Sequence, residues 1–189
     1  MSTADASQLD LAALTGEYTF DPAHTTFGFV ARHAMVTKVR GTFSEFEGSA
    51  HLDFADPGQS RVSVKIKAAS INTGNDDRDA HLRSNDFFDM DEYPEITFES
   101  TGVESVDADT YRVTGDLTIR GVTKPITFES ERTGPVIDPW GNTRVGFEGS
   151  LSVNRKDWGV SWNMALEAGG VVVSEKVTLE FDLSATKSA

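Results

Sequence analysis

Gly41 to Phe54 reads GTFSEFEGSAHLDF, and the order of its side chains settles the class of fold. Phe46, Gly48, Ala50, Leu52 and Phe54 share one parity with mostly polar residues between them, the period of a half-buried β-strand. Phe43 has the opposite parity. A β-bulge is therefore expected near Ser44-Glu45, where an extra residue re-phases the strand.

The same alternation runs outward in both directions. Upstream, Glu17–Phe20 is a short strand that Asp21-Pro22 breaks, and Thr25 to about Ala31 is a second with Phe27 and Phe29 on one face. Downstream, Pro57-Gly58 is a turn, and Val62, Val64, Ile66 and Ala68 form the next strand before the phase shifts again ahead of Ile71. After Pro94 come Ile96, Phe98 and Ser100, then Tyr111 to Ile119, closed by Gly121. Val122 to Arg132 follows, with Ile126 and Phe128 on one face; Pro135 to Gly141 reads as a wide turn. Val145 to Val153 and Val177 to Leu183 complete the series. None of these runs is a continuous apolar block, so the sheet is antiparallel with one wet face. Sheets of about eight strands curl, and closure removes their exposed edges. The expected fold is all-β, an extended eight-stranded antiparallel up-and-down β-barrel, with a two-sheet sandwich as the alternative.

One stretch breaks the pattern: TGNDDRDAHLRSNDFFDMDEYP, Thr73–Pro94. Asn75 stands in a helix N-cap position with Asp76 and Asp77 in the first turn, where carboxylates favour the helix dipole. A capped, charged helix inside a β-chain reads as a cover over one end of the barrel.

A chain of 189 residues fits one domain, read here as a flexible arm over 1–15 and a barrel over 16–189. Its core is large enough to need no disulfide or metal. It has no cysteine, which removes thiolate ligands and a thiol nucleophile together. A net charge of −13 argues against nucleic acid and against tight docking on anionic lipid. The N-terminus lacks a basic segment followed by an apolar run, and no segment reaches the roughly 18 apolar residues of a membrane helix. A cytoplasmic location without a membrane span is the resulting expectation.

The histidines His24, His33, His51 and His81 show no metal-ligand spacing, so no metal is expected. His81 is expected to pair with Asp77 or Asp79, and Asp79 with Arg78 or Arg83. Nucleophile-elbow and phosphate-loop motifs are missing, so catalysis is not expected. An eight-stranded barrel either fills itself with side chains or holds one slender ligand. The inner parity mixes Phe98, Phe128, Phe147 and Phe181 with Gly48, Ala50, Ala68, Ser100, Gly115 and Gly149. Small residues facing the aromatics would leave a packed core; small residues clustered together would leave a tunnel.

Six segments carry a resemblance. They are FDPAHTTFGFVARH (Phe20–His33), VRGTFSEFEG (Val39–Gly48), SINTGNDDRDAHLRSNDFFD (Ser70–Asp89), YPEITFEST (Tyr93–Thr101), GDLTIRGVTKPI (Gly115–Ile126) and NRKDWGVSW (Asn154–Trp162). In this order they resemble the YceI-like family of polyisoprenoid-binding proteins. The resemblance implies a lipocalin-like barrel, a long-chain isoprenoid lipid or isoprenoid quinone in its lumen, no other cofactor, and a homodimer. It favours the tunnel over the packed core.

The expected wall is the apolar part of the inner parity. In the first half of the chain it comprises Phe27, Phe29, Phe46, Leu52, Val64 and Ile66. In the second half it comprises Phe98, Val113, Leu117, Phe128, Phe147, Leu151 and Phe181. Arg78, His81, Arg155 and Trp158 match family motif positions and are expected at the tunnel mouth, with Phe87 and Phe88 tucked inward beside them. Each mouth residue could instead fix the helix or the Asn154–Trp158 turn. A non-enzymatic lipid carrier or store is the reading that follows. The alternatives are an enzyme or sequestering protein for another amphiphile, and a stress-related interaction module with a filled barrel.

Overall fold

The computed structural model describes residues 11–166 and 169–188. Its strands are β1 (Gly16–Phe20), β2 (Thr26–His33), β3 (Thr37–Phe43), β4 (Phe46–Leu52), β5 (Arg61–Lys67) and β6 (Ile71–Asn72). They continue as β7 (Glu95–Ser105), β8 (Thr110–Ile119), β9 (Val122–Ile137), β10 (Thr143–Asn154) and β11 (Lys176–Lys187). All belong to one sheet, closed by the pairing of β1 with β11 at Phe20↔Ala185.

The strands fill eight positions around the ring, because three positions hold two segments end to end. Along β11, β1 pairs with Ala185–Lys187 and β2 with Thr178–Asp182. Asp21-Pro22 separates them. The opposite side of that position is β4 against β1 and β3 against β2, interrupted at Ser44-Glu45 as the parity of Phe43 requires. A 3-10 turn at Ala68–Ser70 divides β5 from β6 in the same way, and the Ser44 N–H donates to the Ser70 carbonyl across the gap. Every neighbour is antiparallel and next in sequence around the ring, so the architecture is a closed up-and-down barrel and not a sandwich.

Two details differ from the sequence reading. β9 runs through Pro135 to Ile137, and the turn lies at 138–142 instead of 135–141. Gly134, at φ +86, supplies the left-handed residue of a bulge opposite Arg144–Gly146, so the strand bends and continues. In β7 the ladder shifts between Ser100 and Gly102, so Ile96 and Phe98 face inward on one parity and Val103 on the other.

Each end of the barrel has its own core. At one end Leu14, Tyr18, Phe54, Val145 and Ala185 are buried together. Helix α1 (Leu11–Leu14) seals this end: the Tyr18 hydroxyl donates to the Leu14 carbonyl at 2.6 Å, and Lys187 Nζ to the Ala13 carbonyl at 2.7 Å. Leu14 is a core residue, so residue 15 is not the boundary of a flexible arm. Most of the expected arm, residues 1–10, lies outside the described residues.

Arg144 ties this end together, with Nη1 2.8 Å from Asp21 and Nε 2.8 Å from Asp138. Hydrogen bonds from His24 and then Arg144 hold the Asp21 carboxyl at about 2. Against the cost of burial, the Asn142 N–H and Arg144 hold Asp138 at about 2 as well. Both values lie below the unfolded-chain value near 3.8. The native state thus binds fewer protons, and this contribution is complete above about pH 4 and lost as pH falls toward 2. Arg144→Leu is expected to lower stability at neutral pH and to flatten its decline between about pH 4 and 2, as urea titrations across that range would read.

The other end carries helix α2 (Asp76–Arg83), and here Phe43, Ile71, Phe87, Trp158 and Val160 form the second core. Asn75 caps α2, its side chain accepting from the Arg78 N–H at 3.0 Å. A 3-10 turn at Arg155–Trp158 follows β10 and is likewise capped by Asn154.

Candidate functional site

Between the two cores the lumen is an elongated apolar cavity of about 280 Å³. It reaches from Leu52, Val103 and Tyr111 near α1 to Phe87, Trp158 and Val173 beneath α2. The middle is a belt of phenylalanines. Phe98 and Phe128 have ring centres 5.7 Å apart, Phe128 and Phe181 5.1 Å, both in tilted or edge-on contact. These inward rings, with Phe27 and Phe147, are only half-buried, and all of them border the lumen.

The glycines explain why the lumen stays open. A ring occupies the space a side chain would take at each: Phe29 at Gly41, Phe20 at Gly48, Phe98 at Gly115 and Phe181 at Gly149. Small and large residues are therefore neither opposed across the barrel nor clustered. They are neighbours on adjacent strands, and the missing side chain lets the ring fold back against the wall. A Cβ at Gly149 would stand 2.5 Å from the Glu129 carbonyl oxygen and 2.6 Å from the Phe181 ring. Gly149→Ala is expected to cost about 2 kcal/mol, since strand backbone and ring must both give way. The readout is a drop in Tm of roughly 4–8 °C.

Of the expected wall residues, Phe27, Phe29, Leu52, Val64, Ile66, Phe98, Val113, Leu117, Phe128, Phe147, Leu151 and Phe181 border the cavity. Phe46 does not. It sits at the start of β4 and packs edge-on behind Phe27, with ring centres 4.9 Å apart. Gly115 and Ala68 do not border it either, the first hidden under Phe98 and the second buried in the α2-end core.

The residues expected at the mouth divide sharply. Phe87, Phe88, Arg155 and Trp158 border the cavity; Arg78 and His81 do not. Arg78 is a clamp for its own loop: Nε donates to Thr73 Oγ1 and Nη2 to the Thr73 carbonyl, both at 2.7 Å. Asp79 is buried and forms no ion pair with Arg78 or Arg83, because Thr73 offers it a backbone N–H at 2.9 Å and a hydroxyl at 2.6 Å. Arg83 donates to the Ala69 and Ile71 carbonyls. His81 bonds Asp86 at 2.8 Å, not Asp77 or Asp79, and stacks edge-on against Phe87 and Trp162. His24 and His51 pair with Asp21 and Glu17.

Arg155 is the charged group of this end that borders the cavity. It is buried, and its guanidinium donates to the carbonyls of Ser174 (2.8 Å), Val160 (2.7 Å) and Val173 (3.3 Å). Burial pushes its pKa down from the ordinary value, and the charge of Glu175 partly opposes this. It fastens Val160 to Val173 and Ser174. Trp158 is fixed beside it through Nε1–H to the Leu117 carbonyl at 2.9 Å.

Val160, Trp162 and Val173 were not among the residues expected here. Val160 and Val173 border the cavity and Trp162 backs Phe87 at 5.4 Å between ring centres. They lie on a loop with no periodic pattern. Chemically, the site offers a slender apolar slot with few polar groups, Tyr111, Ser130 and Arg155 among them. That lining suits the burial of hydrocarbon and presents no arranged nucleophile and base.

Comparison with known proteins agrees with this architecture. A UPF0312 protein of Photorhabdus laumondii is 42% identical over 159 residues, covering 82% of each chain. The crystal structure of BcnA from Burkholderia cenocepacia superposes with a TM-score of 0.79 at 25% identity, covering 88% of this chain and 99% of that one. A polyisoprenoid binding domain from Saccharophagus degradans, implicated in plant cell wall breakdown, shares the fold at 19% identity and a TM-score of 0.66, over 90% and 98% of the chains. The model of the YceI-like domain matches residues 18–185, and with that match the chain belongs to the YceI-like family.

Proposed function

We infer that this protein binds one long isoprenoid chain in its lumen and carries or stores it without chemical change. The observation that carries the reading is the aromatic belt, its rings seated over glycines, around an apolar lumen between two buried cores. A filled barrel would need no such device. The Saccharophagus domain that shares the fold is described as polyisoprenoid-binding, which supports the same ligand class here.

Burying hydrocarbon contributes about 0.8 kcal/mol per methylene. Ordering the tail opposes this, so net affinity is far smaller than the gross sum. A cavity near the lower end of ligand pockets, roughly 300–1,000 Å³, selects a slender chain over a bulky ring system. A quinone or polyprenyl head is then placed at the α2 end, where Arg155 and Trp158 supply polarity. Organic extraction of the purified full chain followed by mass spectrometry tests the reading. A co-purifying or added isoprenoid quinone retained through gel filtration supports it; no retained lipid after either treatment contradicts it.

A further inference from the structure

Beyond its lumen, the barrel presents an apolar tip on a basic hairpin. The turn between β2 and β3 exposes Met35 and Val36, at 61% and 76%, and Met164 lies exposed on the loop packed beside it. Ala34 N–H bonds the Val172 carbonyl at 2.8 Å and His33 bridges to Val173, so hairpin and loop form one surface. Ala31 and Val173, just below this tip, border the cavity.

The turn chemistry is not what folding alone would select. Val36 N–H closes on the His33 carbonyl with Ala34 at φ +51 and Met35 at φ +64, a left-handed pair that disfavours side chains. The β8–β9 turn of the same chain meets a comparable demand with Arg120-Gly121. Met35 lays its sulfur against Gly170 of the neighbouring loop, yet it stays mostly exposed in this strained position, which points to a further use for it.

The charge pattern is equally local. Although the net charge is −13, residues 22–44 contain no Asp or Glu. Arg32 and Lys38 stand directly opposite each other across the hairpin, both exposed, where like charges repel. Arg32 also donates to the Val36 carbonyl, stiffening the tip. Arg40 is compensated by Glu180 at 3.4 Å. An anionic surface would relieve the Arg32–Lys38 pair while the tip enters its apolar layer, the pairing of basic and apolar groups used by interfacial segments.

We propose that the β2–β3 hairpin docks on an anionic phospholipid bilayer, bringing the cavity-lining Ala31 and Val173 toward the membrane. The expectation from net charge is thereby reversed for the hairpin alone, a stretch without carboxylates in an acidic chain.

Sedimentation of the full chain with vesicles tests this, using phosphatidylcholine alone against phosphatidylcholine with phosphatidylglycerol. Binding is expected only with the anionic vesicles and weakens with salt. Converting the turn to Ala34→Asn, Met35→Gly, Val36→Thr is expected to preserve or raise Tm, because the left-handed positions are relieved, yet to cut binding at least about tenfold. Arg32→Ser with Lys38→Ser, both on the surface, is expected to cut binding similarly. Trp140→Ser, on the β9–β10 turn at the opposite end, is expected to leave it unchanged. No binding of the unaltered chain to anionic vesicles at low salt, undiminished binding by either hairpin variant, or loss with Trp140→Ser would overturn the proposal. Lumen occupancy is read separately by extraction, so this surface and the lipid-binding reading can fail independently.

Discussion

Leu151→Trp is expected to abolish lipid binding, by at least a hundredfold or about 2.8 kcal/mol, while the barrel stays folded. Leu151 lies mid-strand on β10, opposite Leu179 on β11, and its side chain enters the lumen. An indole there obstructs the passage between the phenylalanine belt and the α2 end. In a filled core the added volume would cost about 1–3 kcal/mol through strain. Here it enters space the cavity already provides, so Tm is expected to move by only a few degrees. Ser150→Trp is the control, one residue along the same strand and exposed on the outer face. Equal lipid binding by Leu151→Trp and the unaltered chain would mean that the ligand does not traverse the belt.

Arg155→Met is expected to be the most destabilising single change at the α2 end. It strands the Ser174 and Val160 carbonyls, while Val173 keeps its 2.7 Å bond from the Asn163 amide, and an unsatisfied buried acceptor costs about 1–3 kcal/mol. Removing a desolvated cation returns part of that loss. The net expectation is about 2–4 kcal/mol, read as a lower urea midpoint with an unchanged slope. Arg155→Lys is expected to rescue little, because an ammonium lacks the rigid fork that reaches three divergent carbonyls. A loss below about 0.5 kcal/mol would show that water replaces the guanidinium and that the segments at Val160 and Val173–Ser174 do not depend on it.

Much of the barrel is legible in the sequence because side-chain period is a local property. The parity break at Phe43 located the interruption between β3 and β4, and inner parity picked wall positions on strand after strand. Phe46 shows the limit: it has inner parity, but it packs edge-on against Phe27 and does not border the cavity. Gly115 shows another, since parity cannot tell a wall glycine from one lying beneath a ring supplied by the next strand. Around α2 the cap at Asn75 was readable from the chain, whereas the partners of Asp79 and His81 depended on a competition among several nearby donors and acceptors. Val160 and Val173 reach the cavity through a loop whose path is set by Arg155, a tertiary contact with no periodic trace.

The central claim is that the lumen is a binding site for a slender lipid and not a packing defect. Native mass spectrometry of the full chain, stripped of lipid and reconstituted with a long-chain isoprenoid quinone, tests it most directly alongside Leu151→Trp. One quinone adduct per chain for the unaltered protein and none for the variant is the expected result. An adduct-free spectrum for the unaltered protein, or the same adduct on both, would contradict it.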